Sequence, residues 1–382
     1  MSGMPRYIYE EEHEMFRNSV RKFLETEAEP YHAQWEKDGH VDRQLWIKAG
    51  EQGFLSPTVA EEYGGVGADF RYNAIVDEEV GRSGLTGIGW GLHSDIAVPY
   101  IISYGNEAQK EKYLPKCVSG EIITAIAMTE PGAGSDLQGI KTTAIKDGDD
   151  YIINGSKTFI TNGQLSDLVI VVAKTDPSAG AKGVSLFLVE SGTPGFSKGA
   201  NLEKVGMKAQ DTSELFFQDV RVSKDQLLGE EGMGFVYLMQ DLPQERLSVA
   251  INAVANAKSV LEQTVEYVKE RKAFGKSIAT FQNTQFKLAE MDTDITVAEA
   301  YMDRCLELHI NKQFDSVAAA KCKLMATDLQ CKVIDECLQL HGGYGFMWEY
   351  PVARAFADSR VQRIYAGTNE IMKLIIGREL VK

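Results

Sequence analysis

Residues 122–136 read IITAIAMTEPGAGSD, and the hydrophobic pattern of the chain changes at this point. The first seven residues form a short apolar and β-branched run, which is typical of a buried strand. Small and turn-forming residues follow from Pro131 to Ser135, so the strand ends in a loop. Backbone N–H groups and the hydroxyls of Thr129 and Ser135 are available there. The loop either cradles a phosphate or a planar cofactor edge, or is only a tight turn between strands.

Short strands continue downstream of this loop. Period-two runs separated by turn residues read DYIING (150–155), KTFITNG (157–163), DLVIVVAK (167–174), GVSLFLVE (183–190) and SELFFQDV (213–220). Strands this closely spaced leave no room for crossover helices. We therefore predict a middle β domain over residues 122–232, folded as a small barrel or a sandwich of two packed sheets.

Helical patterns lie on both sides of the β domain. Phe16, Val20 and Phe23 share one helical face, and apolar residues recur at three- and four-residue spacings in long stretches after residue 232. The later pattern predicts long antiparallel helices packed as a bundle. The sequence thus predicts an α+β multidomain fold, with an all-α domain over residues 1–121 and a helical bundle over residues 233–382.

The composition excludes several classes of function. The formal net charge is −15, whereas proteins that bind nucleic acids or anionic membranes need clustered Lys and Arg. The five cysteines form no CxxC pair, and no apolar run reaches a membrane-spanning length. We expect no metal, no nucleic-acid partner and no membrane span. The acidic N-terminal residues lack the features of a targeting peptide, so we expect a cytoplasmic location, or the mitochondrial matrix if this is a processed chain.

Glu245 lies in the stretch QDLPQERLSVA, residues 240–250. With Asp241 as the N-cap, Pro243 and Glu245 fall in the first turn of a helix, where proline is tolerated and the helix dipole favours an acid. Spacing alone leaves Glu245 either as an ordinary acid at a helix start or as a base that removes a proton from a substrate.

Taken together, these stretches resemble the acyl-CoA dehydrogenase family from end to end, and within it the long-chain type. The likeness rests on motifs in the expected order and at the expected distances: AMTEPGAGSDLQG (127–139), KTFITNG (157–163), ERKAFGK (270–276), QLHGGYGFMWEYPVARAFAD (339–358) and IYAGTNEI (364–371). The resemblance implies a helical domain, a β domain and a C-terminal four-helix bundle, assembled as a homotetramer. It also implies bound FAD and an acyl-CoA substrate.

Family members oxidise an acyl-CoA to the trans-2-enoyl-CoA in fatty acid β-oxidation. A carboxylate removes the α proton, the β hydrogen leaves as hydride to flavin N5, and the electrons pass to an electron-transfer flavoprotein. Because the α proton is weakly acidic, donors must polarise the thioester carbonyl. The resemblance implies that these donors are the flavin ribityl hydroxyl and the backbone N–H of Ala366.

The resemblance also assigns binding residues. Those implied for the flavin ring are Ile126, Met128, Thr129, Gly134, Ser135, Phe159, Ile160 and Thr161. Those implied for the FAD of a neighbouring subunit are Arg271, Phe274, Gln282, Gln339, Leu340, His341, Gly342 and Gly343. Thr368 and Glu370 would hold the adenosine and pyrophosphate region, although the family often has Gln in place of Glu370. Those implied for the acyl-CoA are Ser135, Pro243, Arg246, Tyr365, Ala366 and Gly367.

The resemblance also decides between two positions for the base. Many members carry the catalytic glutamate in the motif that reads IYAGTNE here, where Ala366 cannot take a proton. The long-chain and isovaleryl branches instead have it just before an arginine at the start of the bundle helix, which matches Glu245 and Arg246. The resemblance therefore implies Glu245 as the base.

Three alternatives remain open. They are an isovaleryl-type enzyme for branched short acyl groups, an acyl-CoA oxidase on the same fold, and a non-catalytic acyl-CoA-binding subunit. The acyl group is not fixed by the sequence, because the glycines of residues 84–100 leave room for a long chain whereas Trp90 can block it.

Overall fold

The N-terminal third of the protein is helical in the computed structural model, which describes residues 4–382. Side-chain caps fix several helix starts; Asp69, for example, accepts a hydrogen bond from the N–H of Arg71 at 2.9 Å. A π-helical segment, Leu92–Ala97, runs directly into the fifth helix. The helices are α1 Glu11–Phe23, α2 Glu29–Asp38, α3 Arg43–Glu51, α4 Phe70–Ser83, α5 Val98–Tyr104 and α6 Glu107–Val118.

The middle third forms a mixed sheet of eight strands with the order β6-β7-β3-β2-β4-β5-β8, and β1 pairs with β4 in parallel beside this path. The strands are β1 Thr124–Ala127, β2 Thr143–Asp147, β3 Asp150–Thr161, β4 Leu168–Lys174, β5 Val184–Glu190, β6 Phe196–Asn201, β7 Thr212–Ser223 and β8 Leu227–Leu228. The predicted runs all form strands, but the runs at 150–155 and 157–163 belong to the single strand β3, and β2, β6 and β8 were not among the predicted runs. These strands belong to one connected sheet.

Strand β4 is buried on both faces, which explains its unbroken apolar run. Val169 and Val171 face the interior of the β domain with Phe187. Ile170 and Val172 face the opposite way, into a core that includes residues of α5 and α6. The period-two alternation of side chains therefore serves two cores and attaches the sheet to the N-terminal helices.

The last third returns to long helices, as the sequence predicts. The elements are α7 Gly234–Glu270, the hairpin β9 Lys272–Ala273 and β10 Lys276–Ser277, α8 Gln282–Ile310, α9 Ser316–His341, α10 Pro351–Ser359 and α11 Asn369–Leu380. Apolar residues of α7, α8 and α9 share one buried core with residues of α4. Helices α4 and α7 pack closely: a Cβ added at Gly81 would lie 2.6 Å from the Asn252 carbonyl oxygen.

The predicted start of α7 is wrong. The helix begins at Gly234, so Asp241 is not its N-cap and Pro243 and Glu245 lie inside the helix. Proline removes one backbone hydrogen bond and costs roughly 3 kcal/mol inside a helix. The buried residues Leu238 and Leu242 anchor the additional turns on the protein core and offset this cost.

A pair of buried carboxyl groups joins the N-terminal helices to α7. Asp77 of α4 and Asp95 of the π-helical segment are 5% and 2% exposed. The Asn73 amide donates to Asp95 at 2.6 Å, and the Ser248 hydroxyl donates to it at 3.0 Å. Burial raises the pKa of both carboxyls, and the charge of Asp95 raises that of Asp77 further. The two groups are therefore expected to hold a proton together near neutral pH.

The pair makes folding stability depend on pH. A carboxyl whose pKa is raised by folding stabilises the folded state fully only below the pKa that the same group has in the unfolded chain. This contribution is lost as the pH rises through the folded-state pKa. We expect Asp77→Asn to raise the thermal midpoint at pH 8 and to have little effect near pH 4. The size of the effect depends on how far the pKa of the pair is raised by folding. Each pKa unit of that shift which the substitution removes adds about 1.4 kcal/mol to the free energy of unfolding at high pH. Thermal unfolding of the two proteins between pH 4 and pH 8 measures this difference. Asp335→Asn, at an exposed position, is the control. Equal pH dependence in the Asp77 variant and the unaltered protein would contradict the shared proton.

Three further observations concern the described residues, 4–382. No helix among them is both long and apolar enough to cross a membrane. They contain no group of three or more His, Cys, Asp or Glu side chains arranged to hold a metal ion. All five cysteines are free thiols.

Candidate active site

Glu245 is a buried acid on α7 that faces α5. Its side chain is 4% exposed, and the Tyr100 hydroxyl donates to its Oε1 at 2.9 Å. Burial raises the pKa of the Glu245 carboxyl to about 7, the Tyr100 hydrogen bond and Arg246 oppose this shift, and Asp241 adds to it. A carboxyl of this pKa exchanges a proton readily near neutral pH, as a general base must.

Arg246, the residue that follows Glu245, contacts the loop before α11. The Arg246 Nε donates to the Ala366 carbonyl oxygen at 3.3 Å. Ala366 has φ +52° and Gly367 has φ +89°, so two consecutive residues are in the left-handed region. This conformation costs an alanine roughly 1–2 kcal/mol. The loop therefore needs contacts that hold it.

Lys323 of α9 supplies such contacts, and sequence reasoning missed it. The side chain is fully buried, and its Nζ donates to the Gly367 carbonyl oxygen and to Asn369 Oδ1, both at 2.9 Å. Burial lowers the pKa of the Lys323 ammonium to about 8, and the charge of Arg246 contributes. Two cations from two helices thus bind consecutive carbonyl groups of one strained loop.

The loop after β1 is held by a second buried ion pair. Lys157 of β3 is fully buried; its Nζ donates to Glu130 Oε1 at 2.8 Å and to the Met128 carbonyl oxygen at 3.0 Å. Glu130 in turn accepts the N–H groups of Lys141 and Thr142. Met128 and Thr129 are half-buried, and Ser135 is exposed. The ion pair anchors the start of the loop. The tip of the loop is open: a Cβ added at Gly134 would have no neighbouring atom within 4 Å.

Strand β3 presents an exposed aromatic ring beside this loop. Its register with β7 shifts between Lys157 and Ile160, and Phe159 at this bulge has φ +59° and is 68% exposed. The N–H of Thr158 donates to the Thr129 carbonyl oxygen at 2.9 Å. The residues predicted for the flavin ring within 128–135 and 159–161 are thereby brought together, and Ile126 and Ile160 are buried.

A cavity of about 480 Å³ opens at the end of the bundle. It is lined by Tyr267, Arg271, Ile278, Gln339, Leu340, His341, Gly342, Gly343, Tyr344 and Met347. Six of these residues are the ones predicted for the FAD of a neighbouring subunit. The other two predicted residues lie close by in sequence: Phe274 is 95% exposed at the tip of the β9–β10 hairpin, and Gln282 begins α8.

The remaining predicted residues lie around α11 and α7. Thr368 is the N-cap of α11 and accepts from the N–H of Ile371 at 3.4 Å, and Glu370 is in the first turn. Tyr365 is half-buried and its hydroxyl donates to Gln362 Oε1 at 2.7 Å. Pro243 lies half-buried in α7, one turn before Arg246.

The residues present fit FAD. The bundle cavity combines the Arg271 guanidinium with the open backbone of Gly342 and Gly343, which suits a pyrophosphate. The β-domain surface offers an exposed aromatic ring and a loop with free hydroxyl groups, which suits a flavin ring. The cavity lining contains none of the β-domain residues. Two separate half-sites on one chain agree with a cofactor held between two copies.

Tyr100 also escaped sequence reasoning. It is 145 positions from Glu245, and only the packing of α5 on α7 brings the two together. Lys323 carried a weak signal, because a lysine between Ala320 and Thr327 lies on the predicted apolar face of its helix.

Comparisons with known proteins agree with this geometry. Three family models match the chain: the acyl-CoA dehydrogenase N-terminal domain over residues 10–121, the middle domain over 125–220 and the C-terminal domain over 232–381. The long-chain specific acyl-CoA dehydrogenase of Sus scrofa, a mitochondrial protein, is 57% identical over 98% of this chain and 88% of that protein.

Solved structures extend the likeness. An acyl-CoA dehydrogenase from Geobacillus kaustophilus superposes with a TM-score of 0.97 at 55% identity, covering 99% of this chain and 100% of that one. An acyl-CoA dehydrogenase from Bacillus anthracis, complexed with FAD, gives a TM-score of 0.93 at 33% identity, covering 99% of this chain and 68% of that one. The chain therefore belongs to the acyl-CoA dehydrogenase family.

Proposed function

We propose that the protein oxidises an acyl-CoA to the trans-2-enoyl-CoA with FAD as cofactor, in fatty acid β-oxidation, and that Glu245 takes the α proton. The observation that carries the assignment is a buried carboxyl, with a pKa of about 7, next to the arginine that binds the strained 366–367 loop. Ala366 has no side-chain group that takes a proton, so this loop offers no competing base.

The chain's own residues supply binding, orientation and proton transfer. Bound FAD supplies the hydride acceptor. The loop at Ala366 and Gly367 binds the thioester carbonyl and so acidifies the α carbon. The Glu245 carboxylate then takes the α proton in a site from which water is excluded. Met128, Thr129, Ser135 and Phe159 orient the flavin ring in this proposal.

We also propose a straight acyl chain of medium or long length. The long-chain enzyme of Sus scrofa is the relative that supports this choice. Trp90 supports it further, because its ring is fully buried in the N-terminal core and packs against Phe23 at 6.0 Å between centroids. A ring committed to that core is not free to close an acyl pocket.

The partners follow from the same family membership. We propose an electron-transfer flavoprotein as the acceptor of the electrons and a homotetramer as the assembly, in which the bundle cavity of one copy meets the FAD of another. The exposed Phe274 beside that cavity supports a contact between copies. The domain boundaries at residues 121 and 232, and a cytoplasmic location, remain predictions.

The decisive experiment mixes the purified protein with acyl-CoAs from C4 to C18, straight and branched, without oxygen. We expect the oxidised-flavin absorbance to bleach, with kcat/KM rising by about fourfold for each added methylene until the pocket is filled. A colourless protein that FAD cannot reconstitute would support a non-catalytic role. Hydrogen peroxide formation in air would indicate an oxidase, and a preference for isovaleryl-CoA the branched-chain type.

A further inference from the structure

We propose that Tyr100 is the positioning residue for the base: its hydroxyl holds one carboxylate oxygen of Glu245 and leaves the other free for the substrate α proton. This inference rests on the proposed role of Glu245. It concerns a contact between α5 and α7 that the sequence motifs do not contain.

The geometry of the contact supports this role. The Tyr100 side chain is fully buried, and its Oη lies 2.9 Å from Glu245 Oε1. Within residues 4–382, no other side chain or backbone group donates to the Glu245 carboxylate. A single donor on one oxygen restricts the rotation of the carboxylate. The second oxygen keeps its lone pairs for proton transfer.

The π-helical segment that leads directly into α5 is tied to α7 on both sides of Glu245. The Gln244 amide donates to the Asp95 carbonyl oxygen at 2.7 Å, and the Ser248 hydroxyl donates to the Asp95 carboxylate at 3.0 Å. These bonds come from the residue before Glu245 and from one turn after it. The register of the two helices is therefore fixed, and the phenol cannot shift without breaking them.

Few charged groups compete with Tyr100 for control of Glu245. On α7 the neighbours are Asp241, whose charge favours the protonated carboxyl, and Arg246, whose charge favours the carboxylate. On α5 the neighbour is Tyr100 itself. Tyr104, one turn further, donates to Gln240 and acts on Glu245 only through Asp241, whose pKa its hydroxyl lowers. A hydrogen bond donated to a carboxylate favours its charged form. Tyr100 thus keeps the base charged at lower pH than burial alone would allow.

The test compares Tyr100→Phe with the unaltered holoenzyme. Phenylalanine keeps the ring and removes only the hydroxyl. We expect the acid limb of the kcat/KM profile to move up by about one to two pH units. Turnover at pH 7 falls about tenfold and recovers as pH rises, with KM little changed. Tyr113→Phe is the matched control: it removes a buried phenol hydroxyl that donates to Glu190 Oε1 at 2.7 Å, so the profile should not move.

A second readout avoids turnover altogether. Infrared difference spectra of the FAD-free and FAD-bound protein, with Glu245→Gln as the subtraction, follow the Glu245 carboxyl band through its titration. We expect the band to persist to higher pH in Tyr100→Phe. Unchanged pH limbs and unchanged titration in a folded Tyr100→Phe protein would overturn the inference. An active Glu245→Gln protein would instead overturn the proposed base, so the two failures are distinguishable.

Discussion

We expect Glu245→Gln to retain FAD and to bind acyl-CoA, but to lose nearly all of the flavin bleaching that follows substrate addition. Glutamine keeps the size of the side chain and still accepts the Tyr100 hydrogen bond through its amide oxygen. It cannot take a proton. Loss of a general base costs roughly 10²–10⁴-fold in rate, and we expect the upper end because Ala366 leaves no substitute in the loop. Anaerobic stopped-flow absorbance measures the effect.

Matched measurements separate chemistry from folding in this experiment. Glu266→Gln changes an exposed acid on the same helix and should leave the bleaching rate unchanged. The acyl-CoA dissociation constant of Glu245→Gln should stay within a few-fold of the unaltered protein. Bleaching at the normal rate in Glu245→Gln would show that another group takes the proton.

The fold was predictable where one physical pattern dominates. The change from helical to period-two spacing near residue 122 predicted the β domain, because burial of alternate side chains imposes that period. The start of α7 was mispredicted because Pro243 is a local signal for a helix start. The buried contacts of Leu238 and Leu242, which extend the helix past that signal, depend on a core assembled from distant parts of the chain.

The loop residues of the candidate site could be predicted from the sequence, whereas the buried side chains that hold those loops and Glu245 could not. The residues of the loop after β1 and of the bundle cavity lie in short motifs that can be recognised in the sequence. Tyr100 acts through a contact with a residue 145 positions away, and Lys323 acts through contacts with residues 44 and 46 positions away. The sequence around Tyr100 does not indicate its contact, and the apolar neighbours of Lys323 indicate only that it is buried. Such partners emerge only once the helices are packed.

Lys323→Met should lower kcat/KM by about 10²-fold, comparable to the loss of one donor from a carbonyl-binding site. Methionine matches the length of the lysine stem and suits a buried position. It leaves the Gly367 carbonyl and Asn369 Oδ1 without the ammonium donor. Arg246 and the start of α11 then hold a loop in which Ala366 has φ +52° and Gly367 has φ +89°. Relaxation of that loop would displace the Ala366 N–H, which we propose as a donor to the thioester carbonyl.

Hydrogen exchange provides the readout that distinguishes a loop effect from general destabilisation. We expect faster exchange over residues 364–368 in Lys323→Met, with exchange in β4 unchanged, because β4 belongs to other cores. Lys321→Met, at an exposed position two residues earlier on α9, is the control and should match the unaltered protein. Normal turnover and unchanged hydrogen exchange over residues 364–368 in Lys323→Met would show that the ammonium does not hold the loop. The strained backbone at Ala366 would then be held by Arg246 and the start of α11 alone.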